Sequence, residues 1–189
     1  MESVGPEDRS VILISSKTPS AYVTCIAGDL IRVFQPMDFW ACNIIFSHVD
    51  PDVLLAVSYD QTVRLSVADG SIAEFSGHSR EHNCGGDAMV LSHDGTVLYV
   101  GYDTAECVVA YDVATLQLVW RADFEDDVCS IAYHDGQVLV GPRAGPLTVL
   151  NAEDGSVVRT LVFVHDDVNG ISVFTGLFCD FFGESDRTA

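Results

Sequence analysis

One segment recurs three times along the chain, and this recurrence limits how the chain folds more than any other feature. The copies occupy residues 46–55, 91–98 and 132–139. Each copy carries a histidine, and these residues, His48, His93 and His134, are 45 and 41 positions apart. A second marker recurs at residues 65–70, 111–116 and 150–155. A common period of about 40 residues predicts tandem copies of one structural unit, each stacked on the next.

The repeating unit has the sequence pattern of strands. Short runs rich in valine, isoleucine, leucine and aromatic residues alternate with glycine, aspartate and proline, as in strands joined by turns. Three of the breaks are Asp-Gly pairs, which tolerate the positive φ of tight turns: Asp94-Gly95, Asp135-Gly136 and Asp154-Gly155. We therefore predict an all-β fold whose unit is four short antiparallel strands, as in one blade of a β-propeller.

Certain dipeptides stand where the WD-repeat family of propellers has its signatures. The family's Trp-Asp is replaced by one similar and two more divergent pairs: Tyr111-Asp112, Leu65-Ser66 and Leu150-Asn151. Gly77-His78 corresponds to the Gly-His dipeptide between blades, and residues 60–65 match a turn and third strand. The repeats thus resemble a degenerate WD-repeat (transducin-like) propeller, although no unit has both signatures. Residues 115–120 also resemble the repeats of quinoprotein-like propellers.

The resemblance implies structural roles for a few polar residues. Asp60, His78 and Asp103 are the candidates for the turn and for the hydrogen-bonded tetrad that the family has in each blade. Asp60 and Asp103 follow the two related segments Ser58-Tyr59 and Gly101-Tyr102. Because the family's signatures are incomplete here, the implied tetrad is partial.

The repeats divide the chain into four predicted blades and two termini. The blades are expected at about residues 10–40, 41–79, 86–127 and 128–167, with one extra strand at 168–175. Residues 1–9 are expected to be a flexible N-terminus and 176–189 a C-terminal tail. Since WD-type propellers close with more than four blades, we predict a partial propeller that belongs to a longer ring or is completed by another chain. A closed four-bladed ring is the third alternative.

The charge of the chain points to protein partners. Nine lysines and arginines oppose 28 acidic residues, for a formal net charge of −19. The basic residues occur singly, so we expect no direct binding to nucleic acid and none to an anionic membrane. Acidic side chains cluster in two successive inter-blade loops: Asp123, Glu125, Asp126, Asp127, Asp166 and Asp167. We expect them to form a surface for a partner protein with a basic surface, with simple solubility as the alternative.

The cysteines and the N-terminus indicate an intracellular compartment. Six cysteines are spread along the chain with no Cys-x-x-Cys pair, which favours reduced thiols. The first ten residues are acidic rather than basic and apolar, so no signal peptide is expected. Uncharged runs are too short for a membrane-spanning helix. We therefore expect a protein of the cytoplasm or nucleus.

One loop contains the residue types of a zinc site. His78, His82 and Cys84 are close in sequence, and zinc binds imidazole and thiolate groups. The chain supplies no second tight pair of ligands, so we favour a polar loop and expect no metal and no cofactor. The three repeated histidines are likewise expected to be solvated turn residues.

The sequence favours binding over catalysis. It contains no Gly-x-Ser-x-Gly, Gly-x-x-x-x-Gly-Lys or His-Glu-x-x-His motif. The leading hypothesis is a non-catalytic scaffold for protein–protein interaction, which the WD-repeat resemblance also implies. The alternatives are a quinoprotein-like enzyme or small-ligand sensor that uses the central channel, and a truncated propeller without independent activity.

Overall fold

The computed structural model describes residues 11–15, 21–25, 30–34, 41–58, 61–76 and 86–161. All regular secondary structure in these ranges is antiparallel β-strand, which confirms the predicted all-β class. No helix in this part of the chain has the length and hydropathy needed to cross a bilayer. The extra strand predicted at 168–175 and both predicted termini lie outside the described residues.

The strands form four consecutive sheets. The first sheet contains β1 (Val11–Ser15), β2 (Ala21–Cys25) and β3 (Leu30–Phe34). The second contains β4 (Ala41–Phe46), β5 (Val53–Ser58), β6 (Thr62–Ser66) and β7 (Ile72–Glu74). The third contains β8 (Gly86–Leu91), β9 (Val97–Tyr102), β10 (Cys107–Asp112) and β11 (Leu118–Asp123). The fourth contains β12 (Val128–His134), β13 (Gln137–Pro142), β14 (Leu147–Asn151) and β15 (Val157–Leu161).

Each sheet is a meander in which neighbouring strands are also consecutive in the chain. The three four-stranded sheets agree with the predicted repeating unit, and three strands of the first sheet fall within the described ranges. The first strands of successive sheets contact one another, β1 with β4, β4 with β8 and β8 with β12. The sheets are therefore stacked in chain order, with their first strands on the same side.

Apolar side chains fill three junctions between the sheets. The first junction, between the first and second sheets, contains Leu54 and Ala56 of β5. The second junction, between the second and third sheets, contains the intervening Leu55 and Val57. The third junction, between the third and fourth sheets, is centred on Trp120, Tyr99 and their neighbours. Since successive strand residues point to opposite faces, the two inner sheets are apolar on both faces.

The turns between strands lie on two opposite edges of the stack. The loop edge carries residues 103–106, 124–127 and 143–146, and two backbone bonds tie it together, Phe124 N–H to Glu106 O and Arg143 N–H to Asp127 O. The turn edge carries the first-to-second and third-to-fourth strand turns of the second, third and fourth sheets. Backbone bonds of the type Val113 N–H to Thr96 O and Ala152 N–H to Gly136 O connect these paired turns.

The predicted Asp-Gly turns are confirmed. Gly95, Gly136 and Gly155 have φ of 71°, 73° and 72°, the left-handed region in which glycine is favoured. Gly155 is also needed for its small size, because a Cβ there would lie 2.6 Å from Cε3 of Trp120. The turn thus fixes how closely the third and fourth sheets approach each other.

Candidate functional site

The described acidic residues of the predicted partner surface lie together on the loop edge. Asp123 ends β11, and Glu125, Asp126 and Asp127 form the loop that leads to β12. Asp123 and Glu125 are exposed, and the other two are half-buried. The second predicted cluster, Asp166 and Asp167, lies outside the described residues, so its position relative to the first stays a prediction.

Two of these carboxylates are paired with arginines. Asp123 accepts a hydrogen bond from Nε of Arg121 at 2.7 Å, with its side chain 72% exposed. Asp127 pairs with Arg143 of the β13–β14 turn, and its side chain is only 22% exposed. The Asp127 carboxylate raises the pKa of the Arg143 guanidinium above its ordinary value. Asp127 therefore anchors the turn, and an exposed surface pair of the Asp123 kind contributes little to stability.

The other two carboxylates form no ion pair within the described part of the chain, although the charge of Asp126 helps to raise the pKa of Arg143. Glu125 makes no ion pair with any residue that the structure describes, and Asp126 accepts only the Asp127 N–H, at 2.8 Å. The adjacent β9–β10 turn adds Asp103 and Glu106 to the same edge. Glu125 and Asp126 are thus the members of the predicted set that are available to bind a partner.

Asp103 has a structural role in its turn. Its carboxylate accepts hydrogen bonds from the backbone N–H and the hydroxyl of Thr104, and its own carbonyl accepts the N–H of Glu106. The other tetrad candidates, Asp60 and His78, lie outside the described residues. The tetrad implied by the family resemblance therefore stays a prediction.

An open cleft of about 290 Å³ lies beside the exposed carboxylates. It runs between the outer strands of the third and fourth sheets, next to the β13–β14 turn. Three acidic residues, Asp123, Glu125 and Asp126, lie at its rim. The rest of its lining is mostly apolar and consists of Ala122, Phe124, Pro142, Ala144, Gly145, Pro146, Thr148, Leu150, Val157 and Thr160. Sequence analysis missed this cleft because it depends on a gap between two sheets.

The cleft arises from the size of one side chain on β11. Trp120, Ala122 and Phe124 all face the fourth sheet, because they are two residues apart along a strand. Trp120 is 8% exposed and fills the junction toward the turn edge. Ala122 is too small to fill the space between the two aromatic rings. On the facing wall, Leu150 is fully buried and its neighbour Val157 is 62% exposed.

Side chains of one sheet also donate hydrogen bonds to turn carbonyls of the next. Arg32 of β3 donates to Ala68 O at 2.9 Å, and Arg64 of β6 donates to Val113 O at 3.0 Å. At the third junction Trp120 Nε1–H donates to Ala152 O at 2.9 Å. Trp120 therefore packs within the third junction and also donates a hydrogen bond across it. The repeat period places these acceptor carbonyls in comparable turns, but it did not predict which side chains donate hydrogen bonds to them.

Aspartates of the turn edge form a second acidic set that the sequence did not single out as a site. Asp69 and Asp94 accept hydrogen bonds from the backbone and hydroxyl groups of nearby serine and threonine residues. These bonds lower the pKa of both aspartates to about 2. Asp112 and Asp154 make similar bonds, which lower their pKa as well. These carboxylates stabilise turns by capping backbone N–H groups.

The repeated histidines are exposed, in agreement with the solvated turn positions expected for them. His48, His93 and His134 all lie at first-to-second strand turns or strand ends. His48 Nε2 lies 2.7 Å from the carbonyl oxygen of His93, and the two ring centroids are 6.4 Å apart. This contact ties neighbouring turns of the second and third sheets.

No metal-binding group of three or more ligands occurs in the ranges that the structure describes. The zinc candidates His78, His82 and Cys84 lie outside those ranges. Two cysteines of the described ranges, Cys107 and Cys129, are not in disulfide bonds. No protein-family model matches the chain, and no curated protein matches its sequence.

Proposed function

We propose that the chain forms neighbouring blades of a WD-repeat-like β-propeller and acts as a non-catalytic scaffold that binds a basic partner protein through its loop edge. The stacking of the sheets supports the propeller. In a propeller the first strand of every blade lies nearest a common axis, and β1, β4, β8 and β12 contact one another in that order. The meander order within each sheet is also that of a blade.

The fourth sheet supports a ring that continues beyond it. Leu150 belongs to the third junction, whereas Leu147 and Val149 point to the opposite face and are 6% and 1% exposed. A sheet that is apolar on both faces is packed on both sides in stable proteins. We infer that a further sheet, from this chain or from a partner, is stacked there.

The loop edge supports the binding role because its charge is one-sided. Residues 103–106 and 121–127 contain more carboxylates than arginines, since Arg121 is the one arginine among them. Arg143 is the other cation of this edge within the described residues. Glu125 and Asp126, which form no ion pair with a described residue, carry the proposal. Their field attracts a basic partner and accelerates the encounter.

The loops are also held in place, which favours binding. Backbone bonds of 2.7 Å fix Phe124 to the β9–β10 turn and Arg143 to Asp127. A partner that docks on pre-ordered loops loses little conformational entropy from the surface it meets.

Affinity capture with matched charge variants tests this proposal. We expect the triple variant Glu106→Gln, Glu125→Gln, Asp126→Asn to lose the partners that the unaltered chain captures from extracts of its own cells. The control, Asp52→Asn, Asp135→Asn, Glu153→Gln, removes the same number of charges from the turn edge and should keep them. Equal capture by both variants, with equal thermal stability, would show that the acidic loop edge is not the binding surface.

A further inference from the structure

We propose that the cleft between β11 and the β13–β14 turn binds an arginine side chain of the partner, presented in a short extended segment beside an aliphatic residue. The inference rests on the function proposed above and names the chemistry that the loop edge recognises. It concerns a site at the outer strands of two sheets, away from the side on which the first strands meet.

The size of the cleft favours side chains of a protein over a free small molecule. Pockets for drug-sized ligands span roughly 300–1,000 Å³ and enclose most of the ligand. This cleft has about 290 Å³ and is open along one side. It therefore accepts one or two side chains while the backbone that carries them remains outside.

The walls of the cleft suit the apolar parts of such a segment. Pro142, Pro146 and Leu150 provide a rigid apolar floor and wall, and Val157 is an exposed aliphatic side chain at the mouth. Covering Val157 removes apolar surface from water, which is favourable by about 25 cal/mol per Å². An aliphatic neighbour of the arginine would contact this residue.

The rim selects a cation and favours arginine over lysine. Asp123, Glu125 and Asp126 border the cleft, and neither Glu125 nor Asp126 forms an ion pair with a residue that the structure describes. The half-buried Phe124 ring lies among them. A guanidinium group is planar, is less strongly hydrated than an ammonium group, stacks on aromatic rings and bonds two carboxylate oxygens at once.

The second junction shows how the chain closes the same space when no ligand is needed there. Phe75 donates its N–H to Thr62 O, and Ala122 pairs with Val108. Thr62 and Val108 each lie three residues before the start of the repeated marker segment of their own sheet. Phe75 and Ala122 are therefore equivalent positions, and Phe75 is 6% exposed with its ring 5.1 Å from that of Tyr111. The cleft exists because alanine stands where the preceding sheet has phenylalanine.

This equivalence provides the variant that closes the cleft. Ala122→Phe places in the third sheet the residue that fills the second junction, and Ala122→Ser is the matched control that leaves the cleft open. Glu125→Gln with Asp126→Asn alters only the charge of the rim. The probe is the synthetic peptide Ala-Leu-Arg-Pro-Leu-Ala-amide with fluorescein on its N-terminus in place of an acetyl group, with lysine, citrulline and glutamate versions in place of arginine. Fluorescence anisotropy with the full chain measures binding.

We expect saturable binding in the order arginine, lysine, citrulline, with none for glutamate. Ala122→Phe should weaken the arginine peptide about tenfold or more, since it excludes the side chain from its pocket. The Glu125→Gln, Asp126→Asn double variant should weaken binding of the arginine peptide about two- to tenfold and reduce the salt dependence of that binding. Ala122→Ser should change little.

Three outcomes would overturn the inference. They are the absence of saturable binding, equal binding of the arginine and citrulline peptides, and unchanged binding to Ala122→Phe. If circular dichroism shows that Ala122→Phe does not fold, the Glu125→Gln, Asp126→Asn double variant and the citrulline peptide provide the test of the inference. If partner capture fails for the loop-edge variant but survives in Ala122→Phe, the proposed function stands and the cleft is not its site.

Discussion

The second and third junctions solve one packing problem with different residues. At the second junction Arg64 reaches the turn carbonyl of Val113, and Ala73 is its neighbour across the strand pair. At the third junction the corresponding strand pair is Ala110 with Trp120, and Trp120 reaches the carbonyl of Ala152. The large side chain that donates this hydrogen bond lies on the third strand in the second sheet and on the fourth strand in the third sheet.

The comparison shows that each junction needs a side chain that donates a hydrogen bond and enough side-chain volume to fill the space. Different residues can supply both. The pairs Arg64–Ala73 and Ala110–Trp120 both supply one long polar side chain and one small one. The exchange of Phe75 for Ala122 has no such compensation among the residues that line the gap. The second junction is therefore closed to its outer end, where Ser76 also bridges to Gln117, and the third junction is open there.

The largest expected effect comes from removing the closing residue. We expect Phe75→Ala to lower the free energy of unfolding by about 3–5 kcal/mol, since it leaves a cavity in a packed junction. Ala122→Phe fills a gap that already exists and should change stability by less than about 1.5 kcal/mol. Urea denaturation of the two variants measures both values. Equal losses would mean that the two junctions do not differ in packing.

A buried hydroxyl network should have the next largest effect. Thr62 Oγ1 lies 2.7 Å from the hydroxyl of Tyr102, which lies 3.3 Å from the hydroxyl of Tyr111. Burial raises the pKa of Tyr111 well above its ordinary value, so the network stays neutral. Tyr102→Phe leaves the other hydroxyls short of a partner and should lower the free energy of unfolding by about 1–3 kcal/mol.

A double-mutant cycle identifies the source of that loss. If Thr62 and Tyr102 act as a pair, Thr62→Val combined with Tyr102→Phe should be less damaging than the sum of the single variants. Additive losses would show that the hydroxyls of Thr62 and Tyr102 contribute independently of each other. The third junction lacks an equivalent hydroxyl chain among its described residues, because Tyr99 donates to a backbone carbonyl at 3.2 Å instead.

The turn carbonyls should respond differently at the two junctions. Val113 O accepts from one described side chain, Arg64, whereas Ala152 O accepts from both Tyr99 and Trp120. We expect Arg64→Met to lower the free energy of unfolding by about 1 kcal/mol, and Tyr99→Phe by about half of that or less, since Trp120 still donates. Thermal denaturation of the two variants compares them. A larger loss for Tyr99→Phe would contradict the idea that two donors share one carbonyl.

The sequence predicted the periodic part of this structure well and the junctions poorly. Short apolar runs and the Asp-Gly turns between them fix strands and hairpins locally, so the all-β class and the four-stranded unit followed from them. The acidic loop at 123–127 was also visible as a charge cluster. The exchange of Phe75 for Ala122 was not, because an alanine is significant only when the facing wall is known. Likewise, the role of Asp127 as a structural anchor depends on Arg143, which lies in a separate turn.

The smallest expected effect concerns the aspartate caps of the third-to-fourth strand turns in the second and fourth sheets. Asp69 in the second sheet accepts hydrogen bonds that lower its pKa from 3.8 to about 2, and Asp154 in the fourth sheet has a lowered pKa for the same reason. A carboxylate with a lowered folded-state pKa stabilises the protein fully above its ordinary pKa and loses this contribution as the pH falls toward the folded value. We therefore expect the thermal unfolding midpoint to decrease as the pH is lowered from about 4 to about 2. Asp69→Asn and Asp154→Asn keep the acceptor oxygen without the charge, so each should reduce this acid sensitivity by a similar amount. If only one of them does so, the caps of these corresponding turns, which border the first and the third junctions, do not contribute equally to stability.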